Sequence, residues 1–204
     1  MKTKIFVDFD KTLFESSQAK AKLAQIFSQL GFSQSEIEQT YLVESLGGKF
    51  NPKGQIERLK KIRSFNTSVA EMKIKSMIFD ANKMLYNDSI DFLDDIERNK
   101  YEVNLLSYGD NDFQSKKIKH SGIVDKFDNI YIANIEKHIF LKDIVKLDEY
   151  FITIDDREDV LEKISKNFPK SFGILIDRKI EKIFKNENFN GSKVNNLIQA
   201  QRYL

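Results

Sequence analysis

The chain has 204 residues, with 33 lysines and arginines against 31 acids, a net charge of +2 and no cysteine. That length suits one domain plus an elaboration, and the near balance of charge gives no sign of a basic nucleic-acid-binding surface. Lack of cysteine excludes disulfides, thiolate metal sites and cysteine nucleophiles together.

The amino terminus leads straight into an apolar run without the hydrophobic region of a signal peptide, so a cytoplasmic protein is the default expectation. Charged residues interrupt every apolar stretch well short of the roughly 20 residues that span a bilayer, and no membrane association is expected.

The first strand is expected over residues 5–8, ending in Asp8-Phe9-Asp10-Lys11-Thr12-Leu13. Alternation places Asp8 and Asp10 on one face, so both are expected to project into the crevice beyond the strand's carboxyl end. Two acids there could hold Mg²⁺, divide nucleophilic and acid/base roles, or cap a helix.

Almost a hundred residues then pass before the next strand. Helical periodicity predicts four helices, over residues 19–30, 34–46, 55–63 and 69–85, broken at Gly31, Gly47-Gly48 and Asn66-Thr67-Ser68. This is too much for one crossover, and residues 16–84 read as an inserted helical cap, with residues 1–15 and 85–204 forming the α/β core. The loop from Gly47 to Gly54, glycine-rich and basic, is either a substrate-facing loop or a plain connection; it lacks the P-loop pattern. A helix over 90–96, capped by Asn87 or Asp88, feeds the second strand.

Further strands are expected over 103–107, 130–133, 151–155 and 172–176, with helices over 112–120, 140–147 and 157–167 between them and a final helix over 195–203. That alternation predicts a doubly wound, parallel, five-stranded Rossmann-like sheet.

Three features fall at predicted strand ends. Ser107-Tyr108-Gly109 offers a hydroxyl and a glycine that permits close approach to an anion. Lys137 follows the third strand and can neutralise phosphate charge, although Lys142 is a rival for that role. Asp155-Asp156 closes the fourth strand with paired carboxylates, which can bind metal or cap the helix that follows. His120 and His138 lack partners at a ligand spacing.

The order Asp8-x-Asp10-x-Thr12, Ser107, Lys137, Asp155-Asp156 resembles the four motifs of the haloacid dehalogenase-like hydrolase superfamily. The stretch Ser121-Gly122-Ile123-Val124-Asp125-Lys126-Phe127-Asp128 resembles that family's approach to its third strand, and the helical insert matches the place of its first cap type. The resemblance implies strand order 5-4-1-2-3 and a Mg²⁺-dependent phosphatase acting on a small phosphorylated metabolite. It makes Asp8 the nucleophile that becomes an aspartyl-phosphate and Asp10 the acid/base. Ser107, Lys137, Tyr108 and Gly109 would bind phosphate, Thr12 would fix the first loop, and Asp8, Asp10 (through its carbonyl), Asp155 and Asp156 would serve the metal. Ser107 stands where the family often has threonine. By the same resemblance a phosphomutase is the near rival, while Asp10 argues against dehalogenase and phosphonatase chemistry. A catalytically silent module with this fold is the rival of another class. The substrate has no signature in the sequence.

Overall fold

The computed structural model describes residues 2–179, 184–185 and 188–204. Its centre is β1 (Thr3–Val7), flanked by β2 (Tyr101–Tyr108) and β4 (Phe151–Asp155). Alternation along β1 serves two cores: Ile5 and Val7 pack on one face of the sheet, Phe6 on the other. A strand apolar on both faces belongs in the middle of a covered parallel sheet, and all three β1 side chains are buried.

Outward lie β3 (Asn129–Ala133) beside β2 and β5 (Phe172–Ile176) beside β4, all parallel, in the expected order. The sheet is larger than the five strands predicted. It continues through β7 (Gly191–Val194), parallel to β5, and β6 (Phe184–Lys185), antiparallel to β7, giving the order β3-β2-β1-β4-β5-β7-β6. Gly191-Ser192-Lys193 carries none of the apolar content that marks a buried strand. It pairs because glycine lets two backbones close: a Cβ on Gly191 would fall onto the Gly173 carbonyl.

Helices cover both faces. Phe92 and Leu93 of α5 (Ser89–Asp95), Ile118 of α6 (Asn111–Ser121) and Leu197 of α9 (Leu197–Ala200) pack with Ile5 and Val7. Ile164 of α8 (Glu158–Asn167) packs with Phe6. The helix predicted over 140–147 is instead one turn, α7 (Lys137–Phe140), followed by a 3₁₀ turn over Leu141–Asp143. It stops because Lys146 and Glu149 close a reciprocal turn, Lys146 N–H donating to the Glu149 carboxylate and Glu149 N–H to the Lys146 carbonyl. The final helix is likewise short, α9 passing into a 3₁₀ turn over Gln201–Tyr203.

Four helices lie between β1 and α5: α1 (Ser16–Gln29), α2 (Gln34–Glu44), α3 (Pro52–Ile62) and α4 (Thr67–Phe79). A reciprocal capping box of Ser33 and Glu36 starts α2. Asn51 caps α3 with Pro52 in the first turn, which is why it begins before the predicted Gln55. The helix predicted over 69–85 breaks at Asp80, and a 3₁₀ turn over Ala81–Met84 carries Ala81 and Met84 into the core. Leaving and returning chains meet there, Glu15 N–H donating to the Met84 carbonyl and Tyr86 N–H to that of Leu13. Leu23 and Phe27 of α1 and Ile74 of α4 join the apolar cluster of Ile5 and Val7, so insert and sheet share one core. Among the described residues no helix is long and apolar enough to cross a membrane.

Candidate active site

The carboxyl ends of β1, β2 and β4 converge on a cavity of about 530 Å³ lined by Asp8, Asp10, Tyr108, Lys137, Asp155 and Asp156 among others. Asp8 follows β1 immediately, and its N–H still donates to the Ile154 carbonyl of β4 at 2.8 Å. That backbone bond sets Asp8 beside Asp155, the last residue of β4. Ligand oxygens of Asp8, Asp155 and Asp156 lie within 4.8 Å of one another.

Lys137, the first residue of α7, reaches into this acidic group, its ammonium 2.5 Å from Asp8 Oδ1 and 2.7 Å from Asp155 Oδ2. Lys142 is exposed on the following 3₁₀ turn. The other oxygen of Asp155 accepts from Arg157 N–H at 2.9 Å, and Asp156 faces the Lys11 ammonium at 3.8 Å.

The buried Lys137 ammonium and the exposed, more distant Lys11 do not balance three acids, which leaves negative charge in excess. Burial lifts the Asp8 carboxyl to about 8; the Lys137 charge offsets part of that, and Asp155 and Asp156 add to it. Burial and then Asp155 raise Asp156 to about 6. Burial works against the charge on Lys137, yet Asp155 and Asp8 outweigh it and hold the ammonium above the usual lysine range. All-oxygen donors at this spacing suit a hard divalent cation such as Mg²⁺, whose charge would relieve the same excess.

Asp10 has separate partners. Beyond Val7 the strand has ended, and a tight turn takes over in which Leu13 and Phe14 N–H both donate to the Phe9 carbonyl and Lys11 adopts φ 62°. Alternation no longer governs, so the two acids line one cavity but do not share a cluster. The Asp10 oxygens accept from Lys117 Nζ at 2.6 and 2.9 Å, Ser16 Oγ at 2.5 Å and Gln114 Nε2 at 2.6 Å. Burial favours the neutral acid, but Lys117 and these bonds outweigh it and hold Asp10 below the usual carboxylate range.

Lys117 and Gln114 are absent from the sequence reading. Both lie on the buried face of α6, and Gln114 Nε2 also donates to Ser107 Oγ at 3.0 Å, tying the end of β2 to Asp10. The available signal is the helical spacing of Gln114, Lys117 and Ser121 beside Phe113 and Ile118, which puts polar groups on an apolar face. Rings of Phe9, Phe14 and Phe113 surround the Lys117 ammonium at 5.0–5.5 Å.

The remaining predicted residues are placed as follows. Ser107 is almost fully buried and engaged with Gln114. Gly109 spends its N–H on the Ala133 carbonyl at 3.3 Å. Tyr108 extends its hydroxyl to the Gly47 carbonyl at 2.9 Å, which brings the Gly47-Gly48 loop of the insert to the rim of the cavity. Thr12 is fully buried; its carbonyl accepts from Arg178 at 2.8 Å, while its hydroxyl has no partner among the described residues. Arg178 is itself held by Asp88 at 3.0–3.1 Å; Asp88 stands at the N-cap position of α5, one of the two predicted, but its carboxylate makes no cap bond there and anchors the guanidinium against the first loop.

No family model matches this sequence, and neither does any curated protein. Solved structures do. A candidate haloacid dehalogenase-like hydrolase from Burkholderia xenovorans LB400 superposes with a TM-score of 0.73 at 18% identity, over 100% of both chains. The fold is that of the haloacid dehalogenase-like hydrolases. The candidate HAD hydrolase YfnB of Bacillus subtilis, solved with bound magnesium, gives a TM-score of 0.67 at 11% identity, over 100% of this chain and 98% of its own. L-2-haloacid dehalogenase from Xanthobacter autotrophicus gives 0.56 at 14% identity, over 89% of this chain and 80% of its own. The HAD-like core thus agrees with the expectation from the motifs, while the same fold carries different named activities.

Proposed function

We propose that this chain is a Mg²⁺-dependent phosphatase that hydrolyses a small phosphomonoester through an aspartyl-phosphate on Asp8. The observation that carries the reading is the constellation of Asp8, Lys137 and Asp155 in hydrogen-bond contact, with Asp156 alongside and Asp10 on the wall of the same cavity. Asp8 is the nucleophile, and Lys137 both orients it and offers positive charge to the transferring phosphoryl oxygens. Asp8, Asp155, Asp156 and the Asp10 carbonyl would hold Mg²⁺. When bound, it screens the anionic nucleophile from the anionic phosphate and stabilises phosphoryl charge.

Asp10 supports phosphoryl chemistry over the dehalogenase activity of one structural neighbour, because cleavage of a carbon–halogen bond has no alkoxide to protonate. Its setting makes two demands visible. As a base toward the hydrolytic water it must be ionised, which Lys117 secures. As an acid toward a leaving group it must carry a proton, which Lys117 opposes. The first half-reaction therefore needs Lys117 drawn off Asp10, or a leaving group stable enough to depart unprotonated. Ser107 acts from beneath through Gln114, which links it to Asp10.

Residues 16–84 serve in this reading as a cap over a core of residues 1–15 and 85–204, hinged where residues 13–15 meet 84–86. The interdomain movement named for the magnesium-bound Bacillus subtilis protein supports that role.

The test is release of phosphate from p-nitrophenyl phosphate. Turnover with Mg²⁺, its loss in chelator, and a fall of at least about 10³-fold in Asp8→Asn are expected. Metal-independent turnover that survives Asp8→Asn would overturn the assignment.

A further inference from the structure

A second cavity, about 230 Å³, adjoins the first, with Asp10 and Tyr108 lining both. The two differ in chemistry. The first is dominated by acids and ammonium groups; the second is walled by the rings of Tyr41, Phe50 and Phe113, with Tyr41 and Phe50 centroids 4.6 Å apart and Phe50 and Phe113 5.7 Å apart. An apolar chamber lying directly beyond Asp10, on the side away from Asp8 and Asp155, is where a leaving group would rest.

Its size limits the occupant. Drug-sized ligands fill about 300–1,000 Å³. A cavity of roughly 150 Å³ takes benzene, so this one accepts about one ring and a small substituent.

Its charges limit the occupant further. Lys117, also on the wall, is neutralised by Asp10. Lys20 is not: its ammonium lies 4.5 Å from the Tyr41 ring centroid, and among the described residues no carboxylate pairs with it. Lys20 is exposed as well as lining the chamber, which puts it at the opening. The Tyr41 hydroxyl also has no hydrogen-bond partner among the described residues, although Asp10 is close enough, with burial the larger cause, to help raise its pKa. Asp110 also lines the chamber, its carboxylate engaged by Phe113 N–H, and no carboxylate pairs with Lys20 among the described residues, so an aromatic wall with an unpaired ammonium at its opening matches a flat body carrying an anion.

Resting on the phosphatase reading, we infer that the substrate's leaving group is a compact, ring-sized apolar body bearing a carboxylate, with its ring against Tyr41, Phe50 and Phe113 and its carboxylate at Lys20. A nucleoside or a larger sugar conjugate exceeds the chamber.

The experiment measures kcat/KM with Mg²⁺ for phenyl phosphate, its 3- and 4-carboxy derivatives and adenosine 5′-monophosphate, in the wild type and in Lys20→Met and Lys20→Arg. One charge-assisted contact predicts a preference of about tenfold for the better carboxy derivative over phenyl phosphate. That ratio should collapse toward one in Lys20→Met, survive in Lys20→Arg, and be accompanied by poor turnover of the nucleotide. Turnover of phenyl phosphate without a carboxylate preference overturns this inference and leaves the phosphatase reading standing. A preference that persists in Lys20→Met, or adenosine monophosphate as the best of the four, also overturns it. Failure of every ester to release phosphate overturns the phosphatase reading itself.

Discussion

Asp156→Asn should stabilise the metal-free protein while weakening its response to metal. Asp156 is mostly buried beside Asp155, and its carboxyl is raised from the ordinary 3.8 to about 6. A raised acid binds its proton more tightly folded than unfolded, so this group makes the fold lose stability as pH climbs from about 4 to about 6; above that the deficit is constant. The interval from 3.8 to about 6 corresponds to about 3 kcal/mol. That figure already includes the offset from Lys11, which is 64% exposed and 3.8 Å away. Asparagine removes the charge but must place an amide in the same spot, so a net gain of about 1–2 kcal/mol is expected at pH 8. For a chain of this size that is a rise in Tm of about 2–8 °C. Thermal unfolding followed by circular dichroism, in chelator at pH 4, 6 and 8, reads the effect. The variant should melt slightly below the wild type at pH 4, where only the amide cost acts, and overtake it as pH rises. With Mg²⁺ added the wild type should gain more than the variant, by binding linkage. A variant that melts at or below the wild type at pH 8 in chelator would refute the account of excess negative charge in this cluster.

Two other substitutions probe different parts of the structure. Lys117→Met keeps an apolar stem among Phe9, Phe14 and Phe113 but leaves Asp10 without its cation. Asp10 is 30% exposed and keeps Ser16 and Gln114, so the loss should fall at or just below the low end of the range for broken buried pairs, about 2–3 kcal/mol in urea unfolding. The Asp10 carboxyl should return toward its ordinary value, moving the acid limb of the pH–rate profile upward; an unmoved limb would show that Lys117 does not set the state of Asp10. Gly191→Ala drives a methyl onto the Gly173 carbonyl and should cost about 3 kcal/mol or prevent folding. Wild-type stability in that variant would mean that β5 and β7 are not paired as described.

What the sequence disclosed, and what it withheld, divides along a physical line. Asp8 and Asp155 were legible because each ends an apolar strand buried on both faces, and in a parallel sheet such ends gather at one edge whatever the loops do. Lys137 was legible for a similar reason, standing just beyond the end of β3 with three residues between. Asp10 shows where the reasoning stops: period-2 alternation holds only while the strand lasts. At Lys11 the chain enters the left-handed region and sends Asp10 to Lys117 rather than to Asp8. Lys117 and Gln114 were hidden because a lysine at helical spacing reads by default as a solvated face, and only the packing of α6 against the first loop reverses it. Strand β7 was hidden because only its last residue, Val194, reaches the apolar core, and the rest of its pairing relies on two glycines and a close backbone approach. The same holds for the leaving-group chamber. Tyr41 and Phe50 come from the insert and Phe113 from the core, so no window of sequence contains its wall, and its ammonium, Lys20, is one of many exposed lysines until the ring beneath it is in place. Strand ends therefore locate the proposed chemistry from sequence alone, whereas the proposed leaving-group chamber is built from residues far apart in the chain and becomes readable only once residues 16–84 are packed against the sheet.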